Sequence, residues 1–123
     1  MSTLISYTKV VLDFEHKQGD TFRKKIEFKT KTGTTESPDN ITTSTFRLQI
    51  STDAKGSNVV KTLTLGSGLS VESTNKLVVL LTAAETALLN GLYYYDVQRT
   101  YQDGTVVTRP EGRMTFKSDV THG

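Results

Sequence analysis

Apolar and polar residues alternate along most of this chain with a period of two. Val10, Leu12, Phe14 and His16 alternate with Val11, Asp13, Glu15 and Lys17, which predicts a first strand with one apolar face. Gln18-Gly19-Asp20 reads as a turn. Phe22, Ile26 and Phe28 share one face of a second strand. Arg23, Lys25 and Glu27 take the other face, and Lys24 interrupts the apolar one. From Lys31-Thr32-Gly33 to Ser37-Pro38-Asp39-Asn40 the chain is rich in breakers, which predicts a loop. The cleanest strand follows: Phe46, Leu48 and Ile50 point one way, and Arg47, Gln49 and Ser51 the other. A turn over 52–58 leads to a fourth strand, Val59 to Leu65, ended by Gly66-Ser67-Gly68. Leu69 to Val71 predicts a short strand. Asn75 is a turn residue before Lys76 to Leu81, a compact and largely buried strand.

The pattern then changes. Thr82-Ala83-Ala84-Glu85 fits a capping box, in which the threonine oxygen and the glutamate carboxylate each accept from the other residue's amide. A helix of one or two turns is expected over Ala83 to Leu89, with Asn90-Gly91 as its left-handed stop. Two long strands, Leu92 to Tyr101 and Thr105 to Phe116, flank Gln102-Asp103-Gly104, and Asp-Gly between β-rich runs is a hairpin signal. Pro110 has no amide to donate to a ladder, so Arg109-Pro110-Glu111-Gly112 should mark a bulge or an edge.

Tyrosines recur in the first of these strands. In Ig-like sandwiches a tyrosine sits just after the crossover between the sheets, and its hydroxyl bonds back to the backbone. Gly91, Tyr93 and Tyr95 fit that corner, with Tyr93 as the bonding residue. The expected fold is all-β: an Ig-like antiparallel β-sandwich of seven to eight strands with one short helix before the tyrosine strand. Residues 1–9 would be an N-terminal arm, 10–118 the sandwich and 119–123 a tail. The expected core is Phe22, Phe28, Phe46, Leu48, Ile50, Leu80, Tyr93, Tyr95, Val97, Met114 and Phe116.

Composition narrows the function classes. A length of 123 residues suits one domain. Threonine fills about one position in six, which favours strands. A formal net charge of +2 argues against a dedicated nucleic-acid binder. The absence of cysteine rules out disulfides and thiolate metal sites. The start, Met1 to Lys9, lacks an apolar export segment, and no run reaches transmembrane length. The expectation is a complete chain made in a cytoplasm.

Candidate chemistry is sparse. His16 and His122 lie far apart without nearby ligands, and His16 reads as the end of an inward strand face. No nucleophile motif is present. Asp13, Glu15, Asp20, Asp96, Asp103 and Glu111 alternate with apolar residues as solvated strand positions do, so a catalytic carboxylate pair is not expected. The stretch from Asp53 to Asn58 loosely suggests a cation loop, but its ligand pattern is too sparse and a plain turn is expected. No catalytic residue, cofactor or metal site is therefore assigned. The run Arg23-Lys24-Lys25 with Lys29 and Lys31 is the strongest charge feature, read as a solvated face or a guarded edge. Tyr94 and Tyr101 are candidates for an interface.

Three landmarks stand in order: Gln18-Gly19-Asp20-Thr21-Phe22, Gly91-Leu92-Tyr93-Tyr94-Tyr95-Asp96, and Glu111-Gly112-Arg113-Met114-Thr115-Phe116 before Asp119-Val120-Thr121. Their order resembles small virion structural proteins of tailed bacteriophages, and is similar to the Ig-like N-terminal domain of phage upper-baseplate proteins. The resemblance spans about Asp13 to Thr121. It implies a noncatalytic virion component, in head decoration, neck, tail or baseplate, made in the bacterial cytoplasm. It implies other virion proteins as partners and a homo-oligomer, ring or array, with no nucleic acid and no membrane. Binding would use exposed strands and loops, with Leu4, Ile5, Tyr7, Arg23, Lys25, Tyr94, Tyr101, Asp103 and Gly104 as interface candidates. The segment Met1 to Tyr7, without an obvious place in the sheets, would dock onto a neighbour. The rival expectation is a carbohydrate- or receptor-binding module of a phage tail.

Overall fold

The period-two runs pair into a sheet that closes over one core. A computed structural model describes residues 5–7 and 13–118. In chain order the elements are β1 (Ile5–Tyr7), β2 (Phe14–Lys17), β3 (Phe22–Glu27), β4 (Lys29–Thr32), β5 (Thr35–Pro38), β6 (Thr45–Ser51), β7 (Val59–Leu65), β8 (Gly68–Glu72), β9 (Lys76–Leu81), α1 (Ala83–Thr86), β10 (Gly91–Thr100) and β11 (Val106–Lys117). Eight strands follow the order β2-β11-β10-β6-β7-β8-β9-β3, and a small sheet follows β1-β4-β5.

The fold is an Ig-like β-sandwich. One layer is β2-β11-β10-β6-β7 and the other β8-β9-β3. Among the described residues the ladder joins the layers through two parallel pairs, Thr64 with Gly68 and Leu65 with Leu69. Here the chain turns sharply, and Gly68 has φ of 97°. A Cβ on Gly68 would lie 2.5 Å from Leu63 Cδ2, so both the backbone and the packing demand glycine.

At the other end, β2 passes to β3 through the predicted turn at Gln18-Gly19-Asp20. The rings of Phe14 and Phe22 meet edge to face at 5.6 Å across the layers. Because this turn crosses between layers, β2 lies parallel to β11 instead of closing a hairpin. The ladder is therefore not wholly antiparallel, as the sequence suggested.

The core holds Phe22, Ile26 and Phe28 from β3 with its exit, Phe46, Leu48 and Ile50 from β6, and Leu77, Val79 and Leu81 from β9. Tyr95 and Val97 of β10 and Met114 and Phe116 of β11 join them, with Ile41, Leu63, Leu69 and Leu89. Tyr93 is half-buried against this cluster.

Leu80 departs from expectation: it is 38% exposed. It faces outward opposite Arg23, because Leu77, Val79 and Leu81 take the inward phase of β9. Val78 shares that outer face yet is only 4% exposed. Lys25 (2.7 Å) and Arg23 (3.3 Å) on β3 pair with Glu72 on β8, and these bridges span the intervening β9 and screen Val78.

Two further expectations are corrected. The stretch from Lys31 to Pro38, read as a loop, belongs to the β4–β5 hairpin, which turns at Gly33-Thr34. Its branched threonines favour strand, and Pro38 is tolerated because β5 is an edge. Ile5–Tyr7 pair with Lys29–Lys31 of the same chain, so this segment has a place in the chain's own sheet. The sequence offered no partner because β4 straddles the end of the expected second strand and the start of the expected loop at Lys31, and was not separated from either. Leu4, Val10 to Leu12 and the tail with His122 lie outside the described residues.

Candidate functional site: the polar face of β11, β10, β6 and β7

Inward residues of β10 face the core, so its even-numbered residues from Tyr94 to Thr100 face out. Register places them in rows. Tyr94 lies between Arg113 and Ser51; Asp96 between Glu111 and Gln49; Gln98 between Thr108 and Arg47. Gln49 and Arg47 continue to Thr62 and Thr64 of β7. These rows form a polar face across four strands, whose aromatic ring among the described residues is that of Tyr94.

A bulge sets the second row. Counting from the hairpin, Thr100 pairs with Val106 and Gln98 with Thr108, but Asp96 pairs with Glu111. Val97 therefore faces two residues, Arg109 and Pro110, as the proline predicted. The inserted residue brings two carboxylates face to face. Like charges directly opposite are destabilising. Among the described residues neither Asp96 nor Glu111 has an ion pair or side-chain hydrogen bond. Burial, then the Glu111 charge, raises the Asp96 pKa, and Arg47 partly opposes this.

The loop after β6 walls this face. Asp53 Oδ1 accepts from Ser51 Oγ (2.7 Å) and from the amides of Ser57 (2.9 Å) and Asn58 (3.2 Å). These bonds, the Ser51 hydroxyl first, hold the Asp53 carboxyl below its usual range. The carboxylate is spent on its own loop, which supports the plain-turn reading over a cation loop. Asp13 stands on the other side and accepts from the Arg113 amide at 3.0 Å. Between them lies a groove of about 420 Å³, whose lining includes Asp13, Gln49, Tyr94, Asp96, Glu111 and Arg113.

The tyrosine corner lies at one end of β10. The Asn90 amide donates to Tyr93 Oη at 3.1 Å, so the hydroxyl returns to the preceding crossover as expected. Burial pushes the Tyr95 phenol up, with Asp13 adding to it. The capping box is complete: the Thr82 amide donates to Glu85 (2.9 Å) and the Glu85 amide to Thr82 Oγ1 (3.2 Å). The helix is shorter than predicted. Leu88 and Leu89 already make three-residue bonds to Glu85 and Thr86, so Gly91, with φ of 97°, opens β10 and does not stop the helix. Thr86 is buried, donates to the Asp20 carbonyl at 2.8 Å and accepts from Gly19 at 3.1 Å. Gln18 Nε2 donates to the Ala87 carbonyl at 2.8 Å. The Gln18-Gly19-Asp20 turn is thus fastened to the crossover.

The other end of β10 holds a residue that the sequence reading missed. Arg99 is only 4% exposed and points inward. It forms a fork with Asp39 (2.7 and 3.3 Å) and donates through Nε to Ser44 Oγ at 2.9 Å. Its guanidinium lies 4.1 Å from the Tyr101 ring centroid. The phase of Tyr93, Tyr95 and Val97 already assigned Arg99 to the inside.

The remaining candidates are dispersed. Arg23 and Lys25 share Glu72 within their own layer, β8-β9-β3, away from this face. Tyr101 packs on Arg99. Asp103 accepts from the Thr105 amide at 2.9 Å, and this bond lowers its pKa; Gly104 completes the loop. His16 packs near Phe22 and hydrogen-bonds the Asp20 carbonyl at 3.0 Å, a structural role. Among the described residues, Tyr94 is the interface candidate that lines the groove. Among the described residues no cluster of three or more metal-ligating side chains occurs, and no helix is long and apolar enough to cross a membrane.

No family model and no curated protein matches the chain. Among solved structures it is similar to CopC from Methylosinus trichosporium OB3b, at 17% identity and a TM-score of 0.44 over 100% of each chain. It is also similar to murine CRIg, at 10% identity and a TM-score of 0.42 over 95% of this chain and 98% of that one. AggA, the major subunit of aggregative adherence fimbriae type I from Escherichia coli, matches at 14% identity and a TM-score of 0.34 over 95% of each.

Proposed function

We propose that this chain is a noncatalytic structural subunit of a tailed-bacteriophage virion, which binds other virion proteins through the polar outer face of β11, β10, β6 and β7. One observation supports this above others. The three landmarks behind the resemblance are neighbours in space. The Gln18-Gly19-Asp20 turn is fastened to the crossover that delivers Gly91 to Asp96. That segment pairs with Glu111 to Phe116, from Gly91 with Phe116 to Asp96 with Glu111. The motifs thus build the frame of the sandwich and leave binding to its surface. Shape and charge pattern then supply specificity without turnover. Mass spectrometry of gradient-purified particles from a strain carrying the gene tests this. The chain should appear at fixed stoichiometry to the major capsid protein; its absence from intact particles overturns the reading.

A second reading has its own observation. Tyr94 lies in a groove beside Gln49, Asp96 and Glu111, an aromatic ring among polar groups that suits a sugar. It makes the chain a carbohydrate- or receptor-binding module of a tail. Glycan-array binding lost on Tyr94→Ala would favour it, and a blank array would leave the assembly reading alone.

A further inference from the structure

We propose that the groove receives an arginine side chain of a partner protein, its guanidinium lying on Tyr94 and bridging Asp96 and Glu111. This rests on the assembly reading above and names the chemistry of the contact. The argument starts from charge complementarity. Asp96 and Glu111 are register partners on one face, where opposite positions on adjacent strands place Cβ atoms about 5 Å apart. A guanidinium presents parallel N–H donors that can serve two carboxylates at once, whereas an ammonium is a point charge.

Two of the chain's own cations stand near the pair: Arg47, whose charge acts on Asp96, and Arg113, which lines the groove. Arg47 Nη2 donates to Gln98 at 2.9 Å. The Arg113 bond to Asp13 comes from its backbone amide and not from its guanidinium. Among the described residues, neither arginine forms an ion pair with Asp96 or Glu111. Of the other two carboxylates of the lining, Asp53 is held by its own loop and Asp13 accepts from the Arg113 amide. The two carboxylates lie on β10 and β11, at one side of the face, and line a groove of about 420 Å³.

Tyr94 supplies the stacking surface. It lies two residues from Asp96 and so shares its face, within reach of one flat side chain. The same chain contains the completed arrangement. On the inner face, Arg99 forks onto Asp39 and lies 4.1 Å from the Tyr101 ring centroid. The outer groove sets two carboxylates beside a tyrosine, and among the described residues its lining arginine, Arg113, forms no ion pair with either. Burial of Asp96 makes its ionised form costly, and an incoming cation relieves that cost.

The test uses the full chain and four probes: the peptides Gly-Arg-Gly, Gly-Lys-Gly and Gly-Glu-Gly, and maltohexaose. Amide chemical shifts are followed during titration. Gly-Arg-Gly should shift Tyr94, Asp96 and Glu111 with a Kd on the order of 1–10 mM, the weak end of affinity expected for one side chain. Glu111→Gln and Asp96→Asn should each weaken it about fivefold or more, while relieving repulsion within the fold. Gly-Lys-Gly should bind more weakly, and Gly-Glu-Gly not at all. Equal binding to the carboxamide variants, or no shift at about 50 mM Gly-Arg-Gly, overturns the proposal. Equal binding of the lysine peptide removes the guanidinium, and shifts of the same residues with maltohexaose alone transfer the groove to the sugar reading. Particle composition decides the assembly reading separately, so the two can fail independently.

Discussion

Replacing Asp39 by alanine should be among the most damaging single changes away from the apolar core. Asp39 is 13% exposed and its partner Arg99 is 4% exposed. Truncation removes both bonds of the fork, at 2.7 and 3.3 Å. Ser44 Oγ and the Asn40 carbonyl remain, at 2.9 and 3.4 Å, but neither carries charge. The guanidinium cannot be neutralised, and Phe28, Phe46 and Tyr101 surround it. Breaking a buried pair in this way costs about 3–5 kcal/mol. Against a total of about 5–15 kcal/mol for a typical domain, that is a large share.

Arg99→Met should cost less, about 1–2 kcal/mol, because methionine can fill space between the rings and Asp39 lies near enough to the surface to turn toward water. The Asp39→Ala/Arg99→Met double variant should be more stable than Asp39→Ala alone. Urea unfolding followed by far-UV circular dichroism measures all three. A loss below about 1 kcal/mol for Asp39→Ala, or a coupling energy below about 0.5 kcal/mol in the cycle, would refute the reasoning.

Phe46→Ala removes a buried ring that packs 5.5 Å from Phe28 and should cost about 3–5 kcal/mol in the same assay. Tyr93→Phe loses one bond from the exposed Asn90 amide, which water can replace, so about 0.5–1.5 kcal/mol is expected by thermal or urea unfolding. Asp96 has a raised folded pKa, so its contribution is fully present below the unfolded value of about 3.9 and is lost as pH rises through the folded value. Asp96→Asn should therefore flatten the fall in stability across that window, and an unchanged pH profile would contradict the assigned repulsion.

Strand phase was legible wherever one face is plainly apolar. Phe46, Leu48 and Ile50 needed only alternation, and the capping box needed only Thr82 and Glu85. Leu80 was misplaced because Lys76 to Leu81 is apolar on both faces, so alternation carries no phase there. The ion pairs that cover Val78 come from two other strands and leave no local trace. The β4–β5 hairpin was missed because Gly33 and Pro38 punctuate it as a loop would, and its threonines carry no apolar face. Arg99 was legible in phase but not in partner, since Asp39 lies sixty residues earlier in a segment read as loop. The groove was invisible because each carboxylate looked solvated alone. Only the register brings them together.

That register and the core share one cause. Before the bulge, β11 turns odd-numbered residues inward, as Val107 opposite Arg99 shows. After it, even-numbered residues turn inward, and Met114 and Phe116 are buried. A residue inserted at Arg109-Pro110 reconciles the two phases; without it the apolar residues of one half would face water. The same insertion moves Glu111 from beside Asp96 to directly opposite it. The carboxylate pair is therefore tied to a packing requirement, and its repulsion is a cost that core burial offsets. Substitutions at Tyr94 and Gln49 can then alter the outer face without disturbing the register, because neither side chain belongs to the core.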